Sequence, residues 1–384
     1  MQPPSIAIIG AGPGGLTTAN ILHRQGWQVS IFEADASATA RDQGGTLDLH
    51  PHDGQLALKK AGLLEAFMAE ARHEDQGQRV VDHATGAVLQ EEIPEPGTGD
   101  CPEIDRMALR QLLLRPLPAE MVRWDAKLEE IIARPDGKYD LLLNGDVAGP
   151  FDLVIGADGA WSRVRAALSD VRPVYSGIAF VELWFGDVDA KHPAIAELVG
   201  HGTTFSLHNG TGLFAQRNGG NTIRVYAAFR TTPEETDRPD KALAGITKGQ
   251  VLTRFTEWAP AMQALIAEAD RIAAIRPIMG LPSDQLRWEP KRGLTLLGDA
   301  AHVMPPLGVG VNLAMLDAAE LAEALLAGQD WWAAVQSYEA VMLERSTQTS
   351  IECNQGFAEW FGEDGLQAAM DIYAALQPNA AGAD

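Results

Sequence analysis

The chain has 384 residues, enough for two domains at roughly 100–200 residues each. A hydrophobic fraction of 46% and a charged fraction of 21% exclude disorder, collagen and coiled coil as descriptions of the whole chain. Thirty Lys and Arg against 52 Asp and Glu leave a formal charge of −22, which repels phosphate backbones and anionic lipid headgroups, so neither nucleic acid nor a membrane surface is expected as a partner.

The only cysteines, Cys101 and Cys353, stand far apart, with no CxxC pair and no zinc-ligand spacing. They predict two reduced thiols in a cytoplasmic protein. Met1–Ser5 lacks the basic start of a signal peptide. The apolar run Ile6–Ile9 is strand-sized, far short of a membrane span. Asp317, Glu320 and Glu323 interrupt Leu313–Leu326, which reads as an amphipathic helix.

In chain order, Ser5–Ile9 reads as a strand, Gly10–Gly15 as a turn, Leu16–Gln25 as a helix stopped by Gly26, and Gln28–Phe32 as a second strand. Strand–helix–strand leaves no room for a hairpin and predicts a parallel crossover. Asp53–Ala71 and Arg106–Leu114 read as helices. Gln76–Gly99 reads as a β excursion turning at Thr85-Gly86. Leu128–Ala133, Tyr139–Leu143 and Leu153–Ile155 read as strands. From Gly177 to Phe229 the pattern alternates between Gly/Asn breaks, which predicts antiparallel sheet, clearest at Thr203–Leu207 and Thr222–Phe229. Lys248–Ala269 reads as helical, Leu294–Leu297 as a buried strand and Leu313–Ala327 as a helix. In the tail, Trp331, Trp332, Val335, Tyr338 and Met342 form a helical stripe expected to pack against the body.

Gly10-Ala11-Gly12-Pro13-Gly14-Gly15 holds Gly10, Gly12 and Gly15 in GxGxxG register. The first glycine permits the tight turn. The second lets a pyrophosphate approach the backbone, and the third lets helix and strand pack closely. The helix N-terminus then offers free N–H groups and partial positive charge. Glu33 ends the next strand 21 residues after Gly12, where a carboxylate can accept from ribose hydroxyls. The nucleotide at this stage is either FAD or NAD(P).

Two later runs decide between them. Residues 156–165 read GADGAWSRVR, and residues 298–312 read GDAAHVMPPLGVGVN. GADGxxSxxR resembles the DG motif of the flavoprotein aromatic hydroxylases, and GDAAHxxPPxxGxGxN resembles their second FAD motif. With GxGxxG, the chain resembles the class A flavin monooxygenases, the para-hydroxybenzoate hydroxylase group, from Ile6 to about Met342. Within that group, Ala40-Arg41, Gly44–His50, Gly54-Gln55, Lys59–Leu64 and Glu103–Arg106 resemble the tetracycline-inactivating enzymes.

The resemblance implies an α/β fold. A Rossmann-like FAD-binding domain comprises residues 1–75, 100–172 and 273–330, and an inserted antiparallel-sheet substrate domain comprises 76–99 and 173–272. A C-terminal helical segment, 331–384, could brace both within a monomer. It implies FAD contacts from Gly10, Gly12, Gly14, Gly15, Glu33, Arg41, Asp48, Arg106, Asp158, Asp299, Pro306, Gly308, Gly310, Val311 and Asn312. Asp299 is placed on a ribityl hydroxyl. The Gly308–Gly310 backbone and the following helix N-terminus are placed at the flavin edge that becomes anionic on reduction. An arginine can neutralise pyrophosphate, whereas Asp48 is better suited to orient Arg41 or a hydroxyl. Arg41, Arg106 and Arg110 can also be read as surface ion pairs, His302 as a base or a structural hydrogen bond, and Lys59-Lys60 as a solvated face.

The implied activity is oxygenation of an aromatic or enolic ring. NADPH or NADH reduces FAD, and O2 then gives a flavin C4a-hydroperoxide that carries one oxygen to the substrate, most specifically a tetracycline. No protein residue is expected as acid or base. The substrate-facing candidates are Phe180, Ser206, Arg217, Arg224, Met304 and Pro306. Two alternatives are a hydroxylase of small phenolic catabolites and an FAD-containing protein that sequesters a drug without turnover. Two departures from the family pattern stand out. Ala34 replaces an arginine after Glu33, and the stretch from His302 to Asn312 is one residue short.

Overall fold

The computed structural model describes residues 3–40, 44–95, 99–232, 234–235, 239–328 and 330–376. Two compact units emerge. The first comprises Met1–Ala71, Asp100–Val174 and Met279–Ile351; the second comprises Arg72–Gly99, Tyr175–Ile278 and Glu352–Asp384.

The first unit is built on a five-stranded parallel sheet in the order Leu294–Leu296, Leu153–Gly156, Ile6–Ile9, Val29–Phe32, Val122–Arg123. Ile6–Ile9 sits at its centre, every residue buried, as a continuous apolar run in a parallel sheet requires. The helices Pro13–Arg24 and Gly310–Ala327 pack together, and their buried faces join the strands in one core. Val335, Tyr338 and Met342 are buried in that core and Trp331 and Trp332 pack on it, as the stripe predicts. The Tyr338 hydroxyl donates to the Leu296 carbonyl at 3.0 Å, which anchors the long helix Trp331–Trp360 to the edge strand. That helix belongs to the first unit up to Ile351 and to the second from Glu352, so the tail is divided rather than a separate segment. A three-stranded sheet, Asp146–Phe151, Tyr139–Leu143 and Leu128–Ala133, and the short pair Thr46–Asp48 with Glu103–Asp105 complete this unit.

Two predicted helices are broken. Asp53–Ala71 is Gly54–Ala61 followed by Leu64–Glu70, because Gly62 takes a left-handed φ of 72° that ends the first helix. Lys248–Ala269 is Lys248–Leu252 followed by Pro260–Ala267. Pro260 starts the second piece, and a proline forces the preceding residue out of helical geometry. Thr247 and Gln250 form a capping box at the start of the first.

The second unit is a seven-stranded sheet in the order Arg271–Gly280, Val174–Phe185, Thr222–Arg230, Thr211–Asn218, Gly202–His208, Gly77–Val81, Val88–Glu92. The middle strands pair antiparallel, and Gly202–His208 pairs parallel with Gly77–Val81. Val181, Leu183, Leu213, Val225 and Ala227 on one face pack under Val188, Ile195, Val251, Met262 and Leu265 from the helical segments. The opposite face carries Phe180, Phe214 and Tyr226, joined by Phe357, Trp360 and Phe361 from the C-terminal part of the long helix.

Candidate functional site

The glycine turn divides its labour by geometry. Gly10 has φ +109°, and a Cβ there would lie 2.3 Å from the Ala157 carbonyl oxygen. A Cβ on Gly15 would lie 2.2 Å from the Gly10 carbonyl oxygen. A Cβ on Gly14 would meet Leu297 at 2.5 Å and the Ala314 carbonyl oxygen at 3.0 Å, so Gly14 serves the contact with the Gly310–Ala327 helix. Gly12 differs: its backbone is extended, and a Cβ would meet no atom within 4 Å. Gly12 is the N-cap of the helix Pro13–Arg24, and no side chain caps that end. The first-turn N–H groups and the positive end of the dipole are left to whatever lies over Gly12.

Glu33 is buried beneath this turn. One carboxylate oxygen accepts the Ala11 N–H at 2.7 Å and the other the Asp35 N–H at 2.9 Å. Arg110 braces the same spot. Its Nε donates to the Ala11 carbonyl at 3.1 Å, Nη1 to Asp35 at 3.0 Å, and Nη2 lies 3.4 Å from Glu33. Arg110 also packs over the Trp124 ring and is buried, so the surface-pair reading fails for it. Sequence reasoning treated Glu33 as a ribose acceptor alone; the structure gives it the added task of holding the turn.

The DG motif is a local knot. Asp158 accepts from the Ser162 hydroxyl at 2.5 Å and the Arg163 N–H at 2.7 Å, which fixes the turn around Gly159. Burial pushes the Asp158 carboxyl above its ordinary pKa, against the pull of Ser162. Arg165 crosses to the second motif, donating to the carbonyls of Ala300 at 2.8 Å and Asp299 at 3.3 Å. Sequence reading quoted Arg165 as a motif letter without assigning it a task. Its Nε is buried with no partner, and burial lowers its pKa.

In the GDAAH run, Gly298 takes φ +57° and Asp299–His302 forms one helical turn. Asp299 is exposed to solvent, yet enough protein surrounds it that desolvation raises its pKa, opposed by His302, Arg106 and Arg165. His302 faces inward. Asp317, fully buried, accepts from His302 Nε2 at 2.6 Å, the Gly298 N–H at 2.9 Å and Arg345 Nη2 at 2.8 Å. Burial works against the charged imidazole, but Asp317 prevails and raises its pKa. His302 is therefore a structural member of a buried network, not a base facing open space.

The loop after His302 is open. Pro306 and Gly308 are exposed, and Cβ atoms on Gly308 (φ +89°) and Gly310 would meet nothing within 4 Å. Met304 is nearly buried and Val311 half-buried against the core. Asn312 is fully buried; its amide donates to the Asp48 carbonyl at 3.0 Å and accepts the His50 N–H at 2.9 Å, which ties the helix start to the segment after Thr46. The Asp48 carboxylate lies 3.1 Å from His50 Nε2. Hydrogen bonding from Asp48 and Asp53 pushes the His50 pKa up to about 10. Arg106, exposed, starts the helix Arg106–Leu114 and pulls down the Asp299 pKa. Arg41 lies outside the described residues.

The second unit separates the candidates expected to face substrate. Side chains alternate across a strand. Register pairs Trp184 with Arg224 and Phe180 with Ala228, so Phe180 and Arg224 share the aromatic face. Ser206 pairs with Leu213 and Arg217 with Ile223, which puts both on the opposite face, the one covered by helices. Arg217 is held there by Asp189 at 2.7 Å, and Ser206 is completely buried. Ser206 and Arg217 therefore leave the set of residues that can line one surface with Phe180. Glu182, which sequence reading passed over, lies on the aromatic face between them, its carboxylate held by Arg224 and Arg276. A lone glutamate inside an alternating strand gave no signal of this.

The sequence profile of the FAD binding domain family matches residues 4–349. The chain belongs to that family, the class A flavin monooxygenases. It is 32% identical over 374 residues to the monooxygenase asqM of Emericella nidulans, covering 83% of each chain. In fold it is similar to HpxO of Klebsiella pneumoniae, solved with FAD and uric acid, at a TM-score of 0.78 and 22% identity over 97% of this chain and 92% of that one. It is also similar to the tetracycline destructase Tet(55), at a TM-score of 0.73 and 23% identity over 97% and 95%. Among the described residues, no helix is long and apolar enough to cross a membrane.

Proposed function

We propose that the protein is an FAD-dependent monooxygenase that consumes NADPH or NADH and places one oxygen atom on an aromatic or enolic ring. The observation that carries this reading is the set of open backbone positions in one unit: Gly12 at an uncapped helix start, and Gly308 and Gly310 at another. Both helix starts offer N–H groups where an anion can settle. Glu33 and Asp299 supply acceptors for hydroxyls, and the buried unpartnered Nε of Arg165 marks a donor beside the same motifs. These residues fit FAD. Gly10, Gly12, Gly14, Gly15 and Glu33 would hold its adenosine pyrophosphate half, and Asp48, Arg106, Asp158, Asp299, Pro306, Gly308, Gly310, Val311 and Asn312 would shape the rest of the site.

When bound, the flavin supplies the redox chemistry with NAD(P)H and dioxygen. This chain's residues bind and orient. Glu33 and Arg110 fix the turn that presents Gly12. Asp317 fixes Gly298 and His302 so that Asp299 keeps its place. Asn312 fixes the helix start after Gly310. Phe180, Arg224, Met304 and Pro306 remain the candidates for substrate contact.

Tetracyclines are the first members of the substrate class to test, on the strength of the Gly44–His50 and Lys59–Leu64 runs and the likeness to Tet(55). The test is FAD titration of the purified protein, then NADPH and NADH oxidation with tetracycline and with simple phenols. Saturable FAD binding with substrate-stimulated oxidation supports the reading. Failure to bind FAD refutes it.

A further inference from the structure

Three connections of the second unit meet around two histidines. The turn 82–87 joins the strands Gly77–Val81 and Val88–Glu92. The hairpin end 209–210 joins Gly202–His208 and Thr211–Asn218. The loop 253–259 leads into the helix Pro260–Ala267. Loop and turn are joined where the Ala259 N–H donates to the His83 carbonyl at 2.7 Å. Loop and hairpin are joined where Trp258 Nε1 donates to Thr211 Oγ1 at 3.1 Å, and that hydroxyl donates to the His208 carbonyl at 2.6 Å. Turn and hairpin are joined by the imidazoles. His83 and His208 stack face to face, their centroids 3.7 Å apart and their planes within 7°. Both are half-buried. Trp258 closes the stack from the side, its centroid 5.7 Å from that of His83.

Such a stack accepts two neutral rings, or one charged ring against a neutral one. Two charged rings at this distance repel. The groups around the pair decide which ring bears the second charge. Glu257, from the loop, lies 3.2 Å from His208 Nε2, where a carboxylate can receive a proton-bearing nitrogen. On the turn, Asp82 is the carboxylate next to His83, but Thr85 engages it through its N–H at 2.8 Å and its hydroxyl at 2.6 Å. Arg254 lines the recess beside His208 and Glu257, with its guanidinium held by Glu235. His83 is left to bear the second charge. Burial, and then the charge of His208 opposite, lower its pKa below the ordinary histidine value, against the pull of Asp82 and Glu257. Parted loops carry no such penalty. As pH falls through about 6.5 the open form takes up a proton that the closed stack refuses, so acid drives opening; above that value neither form is charged and the stack holds.

The hairpin end is also tied to the aromatic face. Arg230 donates its N–H to the Gly210 carbonyl at 2.8 Å and Nη2 to the Phe361 carbonyl at 2.8 Å. Phe361 and Phe357 are the rings that pack on Phe180.

We propose that the stacked His83–His208 pair is an acid-released latch, which pins the turn 82–87 and the hairpin end 209–210 to the loop 253–259 and lets them part when both imidazoles are charged. The latch is independent of the monooxygenase reading, since its groups lie outside the proposed cofactor site.

The test is hydrogen exchange read by mass spectrometry on the full chain with FAD added, at pH 7.5 and pH 5.5. Wild type and variant are compared at the same pH, which cancels the intrinsic pH dependence of exchange. At pH 5.5, one unit below the ordinary histidine value, a single proton can raise the opening equilibrium by at most about tenfold. The ratio of wild-type to His83→Phe rates should therefore rise by about three- to tenfold from pH 7.5 to pH 5.5 in peptides spanning 82–88, 205–213 and 255–262. His83→Gln, which loses the ring but cannot charge, should give the same rise even if it exchanges faster at both pH values. His208→Phe should keep only part of the acid response, because burial still opposes a charged His83. The strands Ile6–Ile9 and Leu153–Gly156 should show no rise. A ratio that does not change with pH for either His83 variant overturns the proposal. So does an equal rise in the first-unit strands, which would mean global unfolding, or an undiminished acid response in His208→Phe, which would mean burial acts without the pair.

Discussion

Two glycines three residues apart should separate cofactor binding from folding. In Gly15→Ala the new Cβ would stand 2.2 Å from the Gly10 carbonyl oxygen, with Ile8 at 3.2 Å and Ala157 at 3.3 Å. The helix must retreat by about 1 Å from the turn, an overpacking strain of about 3 kcal/mol. In Gly12→Ala the Cβ meets nothing within 4 Å, and φ −83° with ψ 179° suits any residue. Stability should stay within about 1 kcal/mol of wild type, since the substitution costs the folded state nothing. On the proposed placement of FAD, the same methyl would occupy the space of its pyrophosphate. Gly12→Ala should therefore weaken FAD binding by at least about tenfold, or 1.4 kcal/mol. Thermal melts of the FAD-free proteins and fluorescence titrations with FAD measure the two effects. A Gly12→Ala protein that binds FAD like wild type would refute the placement of the phosphates over Gly12. A Gly15→Ala protein as stable as wild type would refute the packing argument.

The buried networks give further predictions. Asp317→Asn removes the carboxylate that three donors share, so it should cost about 3 kcal/mol and weaken FAD binding, read by thermal melt and FAD titration. Asn312→Ala strands the half-buried Asp48 carbonyl and His50 N–H, and should cost about 1–2 kcal/mol in a denaturant titration, with activity falling more than stability alone explains. His50 has a pKa raised to about 10 in the fold. Its charged form is thus favoured by folding, and that stabilisation is complete below about pH 6.5 and lost as pH rises through about 10. His50→Gln should flatten the fall in Tm across that window; an unchanged pH profile would contradict the His50–Asp48 pairing. Arg110→Lys cannot reach Ala11, Glu33 and Asp35 together, and should lower Tm with a parallel loss of FAD affinity.

The parallel core was legible because its strands are short apolar runs separated by glycines with steric duties. Ile6–Ile9, Leu153–Ile155 and Leu294–Leu297 could be read directly, and the structure puts them side by side. The helix breaks at Gly62 and before Pro260 were also written in the sequence, as a C-cap glycine and an N1 proline, but the apolar periodicity ran across both and masked them. What could not be read was anything set by register. Ser206 and Arg224 were both expected to face substrate, yet a strand's two-residue period sends them to opposite faces once the hairpin register is fixed. The tasks of Arg110, Arg165 and Asp317 were hidden for a related reason. Each bonds to groups at least 15 positions away in the chain, and nothing in its neighbours marks the partner.

The most direct test of the account is the fate of dioxygen. FAD-loaded protein is incubated with NADPH, isotopically labelled O2 and, in parallel, tetracycline and a set of ionisable phenols, and the products are weighed by mass spectrometry. The account predicts a product heavier by one oxygen atom, with that atom carrying the label. NADPH consumption that yields only hydrogen peroxide with every ligand, or an incorporated oxygen that comes from water, would contradict it.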